Sequence, residues 1–384
     1  MIKMAAGIAT ALLGGIYGAM KLRPVKDKIV FISRESDEPT LDIRMLAEQL
    51  KKDHPEYEVT TCCKMIPDGL AGKAGYCFNV LTQMKHLASS RAAILDTYCI
   101  PVSLLRHRKE LVVIQMWHSV GTMKKFGYSI LDAGEGSSRK VAEAMHMHRG
   151  YDYILCASEN YREHLAEGFG YDPEELEIYP LPRVERLHDK VYENYISREI
   201  KNKYPQIDGK KVYLYCPTFR KGDAENVEFQ KAVNDLISGF RYEDSVLIIK
   251  VHPVQAEELK LEKNEKVIVD KDFSTFDMLF VSDVCISDYS CVVYEAALRS
   301  LPLYFYAFDY DGYQMKRGMY MDYENEVPGP VVTDAASLYE AIDRGESKPE
   351  DVKAFADKYV QSRSDHETKD IADFVIRCIE ERKK

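Results

Sequence analysis

The chain has 384 residues, of which 46% are hydrophobic and 30% are charged, a composition typical of a folded soluble protein. A single hydrophobic core rarely serves so long a chain, so we expect two domains. The formal net charge of −10 argues against nucleic acid as a partner, because nucleic-acid-binding domains present basic surfaces to phosphates.

The N-terminal stretch from Met4 to Met20 is largely apolar, uncharged and rich in Gly and Ala. At about 17 residues it lies at the lower limit for crossing a bilayer. Basic residues flank it at Lys3, Lys21, Arg23, Lys26 and Lys28. We therefore predict that residues 1–25 form a short helix that lies on the cytoplasmic face of the membrane, held by these cations. A helix packed on the protein's own surface and a true membrane span are the alternatives.

Strand-like and helix-like segments alternate along the rest of the chain. In the first half, the predicted strands are residues 28–32, 57–62, 92–96, 111–117, 153–157 and 177–179. The second half repeats the pattern, with strands predicted at residues 211–216, 245–251, 267–269, 278–286 and 302–306. Amphipathic helices are predicted between them, for example at residues 41–52, 160–169 and 229–240.

This alternation predicts parallel sheets with helices on both faces. We expect an α/β fold of two doubly wound, Rossmann-like domains that cover residues 26–190 and 191–384. Ligands of such folds bind beyond the carboxyl ends of the strands, so we expect a ligand cleft between the two domains.

The nine cysteines are odd in number and scattered, and no two of them form a CxxC pair. Reduced thiols in a cytoplasmic protein fit this pattern. No group of cysteines and histidines has the spacing of zinc ligands, so no structural metal site is predicted.

The segment 286–297, ISDYSCVVYEAA, follows an apolar run and restarts as a helix. A strand that ends in Asp288 and Ser290 and leads into a helix presents free backbone N–H groups, which suit a phosphate. Glu295 lies about one turn further on and could accept hydrogen bonds from ribose hydroxyls. The alternative is an ordinary capped helix.

Further polar groups stand just after predicted strands, and each of them alone could belong to an ordinary loop. They include two histidines and several cations, which are suited to a diphosphate. The residues are His118, Lys124, Lys125, Thr218, Arg220, Lys250, His252 and Arg317.

Six motifs in order resemble the CDP-glycerol glycerophosphotransferase family of teichoic acid synthesis. They span roughly residues 28–330 and read WHxxGxxKKFG, PxPRxExL, PTFR, KxHP, ISDYSxxxYE and FYxFDxxxYxxxRGxYxDYExxxPGP. The resemblance implies a GT-B fold, a CDP-activated polyol phosphate donor and a lipid-linked acceptor at the inner membrane face. It implies that the last helix crosses back onto the first domain. The family also includes ribitol phosphate transferases, so the polyol stays open.

The resemblance implies roles for individual residues. His118 and His252 are the expected catalytic residues, with His118 as general base because an imidazole can take a proton near neutral pH. The expected donor-binding residues are Thr218, Arg220, Lys250, Asp288, Ser290, Cys291, Glu295 and Arg317. The expected acceptor-binding residues are Lys124, Lys125 and Arg183.

The sequence departs from the family pattern at four places, one of which is Glu295, at an acidic position where Asp is common. Cys291 stands where a second serine is common, which removes one hydroxyl but keeps the backbone N–H. Ser119-Val120 replaces a common Gly-Thr pair, and Glu185 stands where Asp is usual.

The predicted reaction is transfer of a polyol phosphate, with glycerol phosphate as first choice and ribitol phosphate as alternative, with release of CMP. The expected acceptor is an undecaprenyl-pyrophosphate-linked disaccharide or its glycerol phosphate-extended form. No cofactor is required, although a Mg²⁺ ion carried by the diphosphate stays open. A peripheral location on the cytoplasmic face of the membrane is expected. The rival functions are a GT-B sugar-nucleotide glycosyltransferase or epimerase, and a membrane-bound scaffold.

Overall fold

The computed structural model describes residues 2–67, 69–134, 136–220, 223–251, 259–262, 264–362 and 364–384. Contacts divide the chain into two compact units. Unit 1 consists of Met1–Val120, Lys125–Glu185 and Gln361–Lys384, and unit 2 consists of Gly121–Lys124 and Arg186–Val360. The boundary that we expected after residue 190 therefore falls inside unit 2.

Unit 1 is built on a six-stranded sheet in the order β2-β1-β3-β4-β5-β6, in which every pair is parallel. Its strands are rich in Val, Ile, Leu and Ala and are mostly buried, as expected for a parallel sheet covered on both faces. The strands are β1 (Lys28–Ser33), β2 (Glu58–Cys63), β3 (Ala92–Leu95), β4 (Val112–Gln115), β5 (Tyr153–Cys156) and β6 (Leu176–Ile178).

Helices flank this sheet, and amphipathic spacing explains them. In the helix Leu41–Asp53, for example, Ile43, Leu46 and Leu50 recur every three or four residues and are buried. The other α-helices that begin in unit 1 are Ile2–Met20, Gly69–Leu87, Ile100–Leu104, Arg139–Ala144, Arg162–Phe169, Pro182–His188 and Glu367–Lys383, and the 3₁₀ helices are Gly127–Ile130, Glu159–Tyr161 and Pro173–Glu175.

Both ends of the chain pack on unit 1. In the first helix, Tyr17 is buried and its hydroxyl makes a 2.7 Å hydrogen bond with Nδ1 of His107. In the last helix, Glu380 accepts a 2.9 Å hydrogen bond from the Tyr57 hydroxyl. Over the described residues, we find no helix that combines the length and the apolar character needed to cross a membrane.

Unit 2 has its own six-stranded parallel sheet, in the order β12-β11-β10-β7-β8-β9. A hydrophobic core that includes Tyr215, Phe229, Leu236 and Ile286 packs around it. The strands are β7 (Lys211–Cys216), β8 (Ser245–Ile249), β9 (Val267–Val269), β10 (Val284–Ser287), β11 (Leu303–Tyr306) and β12 (Val331–Val332).

The described helices of unit 2 lie before β7, between the strands and after them along the chain. The α-helices are Lys190–Lys203, Asp223–Gly239, Thr275–Met278, Val292–Leu298, Tyr310–Arg317, Tyr323–Glu326, Ala335–Asp343 and Pro349–Tyr359, and the 3₁₀ helix is Pro205–Ile207. The expected pair of doubly wound α/β sheets is thus confirmed.

The prediction of a strand at residues 278–286 is wrong for the residues before Val284. The helix Thr275–Met278 ends there, and β10 begins only at Val284. Polar residues break the apolar run: the Ser282 hydroxyl donates to the carbonyl of Met278 at 2.6 Å, and the Asp283 carboxylate accepts from the N–H of Val212 at 2.7 Å.

The short segment Gly121–Lys124 packs within unit 2. Lys124 forms an antiparallel bridge with Met319, and the N–H of Tyr320 donates to the carbonyl of Met123 at 2.8 Å. Gly121 lies against the ring of Tyr294, where an added Cβ would come within 2.6 Å of a ring carbon. Only glycine fits this position without a shift of the aromatic ring.

Candidate active site

His118 stands just past the carboxyl end of β4 in unit 1. Trp117 before it has a positive φ of 67°, a region that side chains other than glycine rarely occupy. The Trp117 N–H donates to Oε1 of Gln115 at 2.9 Å, and its ring lies 4.0 Å, centroid to centroid, from the ring of His118. Such strain costs about 1–3 kcal/mol and is found preferentially at functional sites.

The hydrogen bond of His118 fixes which nitrogen carries the proton. Its Nδ1 lies 2.9 Å from the carbonyl oxygen of Asp96. A carbonyl oxygen only accepts, so Nδ1 carries the hydrogen and donates. In the neutral ring, Nε2 is then the nitrogen that can accept a proton, which is the arrangement that a general base needs.

Asp96 is a residue that we did not single out from the sequence. Its carboxyl group is buried; Oδ2 accepts a 2.9 Å hydrogen bond from the Ser33 hydroxyl, and Oδ1 has no partner within the described chain. Burial raises the pKa of Asp96 to about 6, against the opposing effects of Ser33 and His118. The only sequence signal was its position at the end of a predicted strand.

In the sheet of unit 2, β7 and β10 are neighbours. After β7 the chain continues to β8 on one side, and after β10 it continues to β11 on the other side. Ligands of doubly wound folds bind at such a switch point. Thr218 and Arg220 follow β7, and Asp288 and Ser290 follow β10, so the structure places these four residues at one edge of the sheet.

The Arg220 guanidinium is enclosed by two carboxylates. It is 1% exposed and binds both oxygens of Asp309, at 2.7 and 2.9 Å, and Oδ2 of Asp288 at 3.0 Å. It also packs over the rings of Tyr289, Phe308 and Tyr313. In this structure, Arg220 and Asp288 therefore hold together the loops after β7 and β10. We did not predict from the sequence that Asp309 also binds Arg220.

Polar groups suited to a phosphate remain in these loops. The Thr218 hydroxyl oxygen is buried without a hydrogen-bond partner in the described chain. The Thr218 backbone N–H donates to Oδ1 of Asp288 at 2.8 Å, which fixes the position of the loop. Ser290 and Cys291 are partly exposed and directly precede the helix Val292–Leu298, and Glu295 in that helix is 6% exposed.

Lys124 and Lys125 fall in different units. Lys124 belongs to unit 2, where Cys291, Asp288 and Arg317 are close enough to act on its charge. Burial lowers the pKa of Lys124, while Cys291 and Asp288 oppose this effect. The structure therefore brings Lys124 together with the expected donor-binding residues, whereas Lys125 belongs to unit 1.

Two other expected cations are held by buried carboxylates. The Lys250 ammonium lies 2.6 Å from Oδ2 of Asp270, and Nε of Arg183 donates to Oδ2 of Asp42 at 2.8 Å. Both acids are buried, so loss of either cation would leave a buried carboxylate without its partner. His252 lies outside the described residues, and its role stays a prediction.

The described acidic residues near the site are not grouped to share a metal ion. Asp309 is engaged by Arg220. Among the described residues, no group of three or more His, Cys, Asp or Glu is placed to hold a metal ion.

The two parallel sheets define the class of the protein, a GT-B-like fold. The wall teichoic acid polymerase TagF has this fold: its structure aligns with a TM-score of 0.77 and 20% identity, covering 100% of this chain and 98% of that chain.

Sequence comparison gives the family. Residues 17–377 match the sequence model of the family described as CDP-glycerol:poly(glycerophosphate) glycerophosphotransferase. A teichoic acid ribitol-phosphate primase of Bacillus spizizenii is 32% identical over 95% of this chain and 96% of its own length. A teichoic acid glycerol-phosphate primase of Bacillus subtilis is 28% identical over 76% of this chain and 74% of its own length. The chain belongs to the CDP-glycerol:poly(glycerophosphate) glycerophosphotransferase family.

Proposed function

We propose that the protein transfers polyol phosphate from a CDP-polyol to a hydroxyl of a lipid-linked teichoic acid precursor. The observation that carries this proposal is the switch point of unit 2. There the Thr218 hydroxyl, which has no hydrogen-bond partner among the described residues, offers a donor to a diphosphate. The helix that starts after Cys291 and the side chain of Lys124 add further donors and positive charge. Glu295 would accept hydrogen bonds from the ribose.

The reaction is a phosphoryl transfer. The acceptor oxygen forms a bond to the phosphorus that carries the polyol, the bond from this phosphorus to the bridging oxygen breaks, and CMP leaves with that oxygen. His118 takes the proton of the acceptor hydroxyl at Nε2. Lys124 and Arg317 neutralise charge on the diphosphate, and His252 stabilises the leaving CMP. These groups contribute by orientation and electrostatics, as in other phosphoryl transfers.

Two donors are candidates, and different comparisons favour them. The ribitol-phosphate primase is similar over nearly the whole of both chains, which supports CDP-ribitol. The family model and the glycerol-phosphate primase support CDP-glycerol, our first choice from the sequence. Pocket contacts to hydroxyl groups decide between such substrates.

A peripheral position on the membrane would bring the protein to its lipid-linked acceptor. In the first helix, Ile8 and Leu12 are 66% and 67% exposed, and Ile16 is 38% exposed. Their spacing of four residues places them on one face of the helix. We propose that this face enters the interface of an anionic membrane, with Lys21 and Arg23 bound to the headgroups.

The test is CMP release from CDP-ribitol and, separately, from CDP-glycerol, with a prenyl-pyrophosphate-linked disaccharide as acceptor in detergent. Acceptor-dependent CMP from one donor supports the proposal and identifies the polyol. Binding of neither CDP-polyol, together with turnover of a UDP-sugar, would instead favour the sugar-nucleotide function.

A further inference from the structure

Unit 1 has a switch point of its own. Strand β1 lies between β2 and β3, so the chain leaves it in one direction and returns on the other side. The residues that follow β1 and β3 therefore border a crevice of the kind in which doubly wound folds bind ligands. Arg34 follows β1, and Asp96 and Thr97 follow β3.

Hydrogen bonds tie Arg34 to the same short segment as the proposed base. The N–H of Arg34 donates to the Thr97 hydroxyl oxygen at 3.0 Å, and His118 donates to the carbonyl of the preceding residue, Asp96, at 2.9 Å. Arg34 and His118 are therefore anchored on consecutive residues at one edge of the sheet.

Among the described residues of unit 1, no carboxylate pairs with the Arg34 guanidinium. In the same part of the chain, its Nε is buried without a hydrogen-bond partner. Its guanidinium carbon lies 5.2 Å from the ring centroid of Tyr98. By contrast, Arg183 and Arg299 have carboxylate partners, Asp42 and Glu193.

Four titratable side chains on which the charge of Arg34 acts stay neutral at pH 7. Burial raises the pKa of Tyr98 to about 12 and that of the Cys99 thiol to about 12, and Tyr76 shifts in the same direction. Burial and then the charge of Arg34 lower the pKa of His148 to about 3. The nearest acid along the chain, Glu35, is exposed.

We propose that Arg34 binds a phosphate group of the acceptor at the switch point of unit 1. A planar guanidinium suits a phosphate, and a partly buried, uncompensated cation gains most from such an anion. The site would hold the acceptor on the side of the sheet edge where His118 can reach its hydroxyl. This inference rests on the function proposed above.

The experiment is steady-state kinetics on Arg34→Gln and Arg34→Lys, with the donor that the wild type uses. Arg34→Gln should raise the acceptor KM about tenfold or more, as loss of a charged hydrogen bond implies, and leave the donor KM unchanged. Arg34→Lys should give an intermediate acceptor KM, because lysine keeps the positive charge but cannot form the two parallel hydrogen bonds of a guanidinium. Arg44→Gln, at an exposed arginine of the next helix, is the matched control and should behave as wild type.

A comparison of two acceptors shows which phosphate group of the acceptor Arg34 binds. An equal rise in KM for the disaccharide lipid and for its glycerol phosphate-extended form assigns Arg34 to the pyrophosphate. A rise for the extended form alone assigns it to the polyol phosphate. A melting temperature equal to that of the wild type must accompany either result.

An unchanged acceptor KM in both Arg34 variants, with an active wild type, would overturn this inference alone. A rise in the donor KM instead would also overturn it. If the wild type releases no CMP in response to acceptor, the proposed function fails, and the inference fails with it.

Discussion

His118 is the residue on which the proposed chemistry depends most directly. We expect His118→Ala to lower turnover by about 10²–10⁴-fold, because the acceptor hydroxyl loses its general base. The melting temperature should change little, since the imidazole is only partly buried. His366→Ala, at an exposed histidine of unit 1, should keep wild-type turnover. A fully active His118→Ala would remove this residue from the role.

Arg220 has a structural task that can be measured separately from catalysis. Arg220→Gln leaves Asp288 and Asp309 without their cation in a buried site, so we expect a loss of about 3–5 kcal/mol in the free energy of unfolding. Urea denaturation gives this value. Arg344→Gln removes an exposed ion pair with Glu340 and should cost less than about 1 kcal/mol. Similar losses in the two variants would contradict the assignment.

Asp96 gives unit 1 a pH-dependent stability. Its pKa of about 6 lies above its ordinary value of 3.8, so the folded state binds this proton more tightly than the unfolded state. The resulting stabilisation is complete below the ordinary value and is lost as the pH rises through about 6.

Asp96→Asn should remove this dependence. Between pH 4 and pH 7.5, the wild type should lose on the order of 2–3 kcal/mol relative to the variant. Urea denaturation at several pH values measures the difference, with Asp365→Asn, at an exposed acid, as control. Parallel curves for the wild type and Asp96→Asn would show that Asp96 does not titrate in this range.

At the scale of elements, the segment Gly121–Lys124 links Lys124 to the interior of unit 2. Gly121→Ala would place a Cβ against the ring of Tyr294, so we expect a shift of the segment, weaker binding of CDP-polyol and a loss of stability of about 1–3 kcal/mol.

Gly312→Ala is the matched control for Gly121→Ala. Gly312 lies in the helix Tyr310–Arg317 with open space around it, so alanine should stabilise unit 2 by about 0.5–1 kcal/mol. Calorimetric binding of the CDP-polyol and thermal unfolding measure both effects. Unimpaired donor binding in Gly121→Ala would show that this segment does not position Lys124.

At the scale of the whole molecule, the first helix should govern membrane association. Leu12→Asp places a charge on the exposed apolar face and should abolish binding to vesicles that contain anionic lipid. Val227→Asp, at an exposed residue of unit 2, should leave it intact. Vesicle co-sedimentation at low and high salt provides the measurement, and full binding by Leu12→Asp would contradict the proposal.

The sequence predicted most strands of the two sheets because most of them are local apolar runs, but it did not predict β12 (Val331–Val332), whose two residues are too few to show a pattern. It predicted which loops form the switch point of unit 2 for the same reason, since those loops follow strands. It did not predict the partners of the cations. Arg220 and Asp309 lie 89 positions apart, and Arg183 and Asp42 lie 141 positions apart, so only the topology brings them together.

Local patterns also failed where polar residues decide the outcome. The apolar run 278–286 resembles one strand, but the side chains of Ser282 and Asp283 bind backbone groups and divide it. The segment Gly121–Lys124 follows a strand of unit 1 and yet packs in unit 2. Nothing in its residue types distinguishes it from an ordinary loop.

The enclosure of Arg220 by Asp288 and Asp309 has a consequence for evolution and for protein engineering. Substitution of Arg220 leaves two carboxylates without their cation, and substitution of either carboxylate removes hydrogen bonds that hold the guanidinium, so these positions should be inherited together. A donor pocket transplanted from one relative to another would therefore have to carry all three residues. The effect of a substitution at one of these positions depends on the other two, so donor pockets cannot be exchanged between relatives one residue at a time. This holds even though none of the three residues has to touch the substrate.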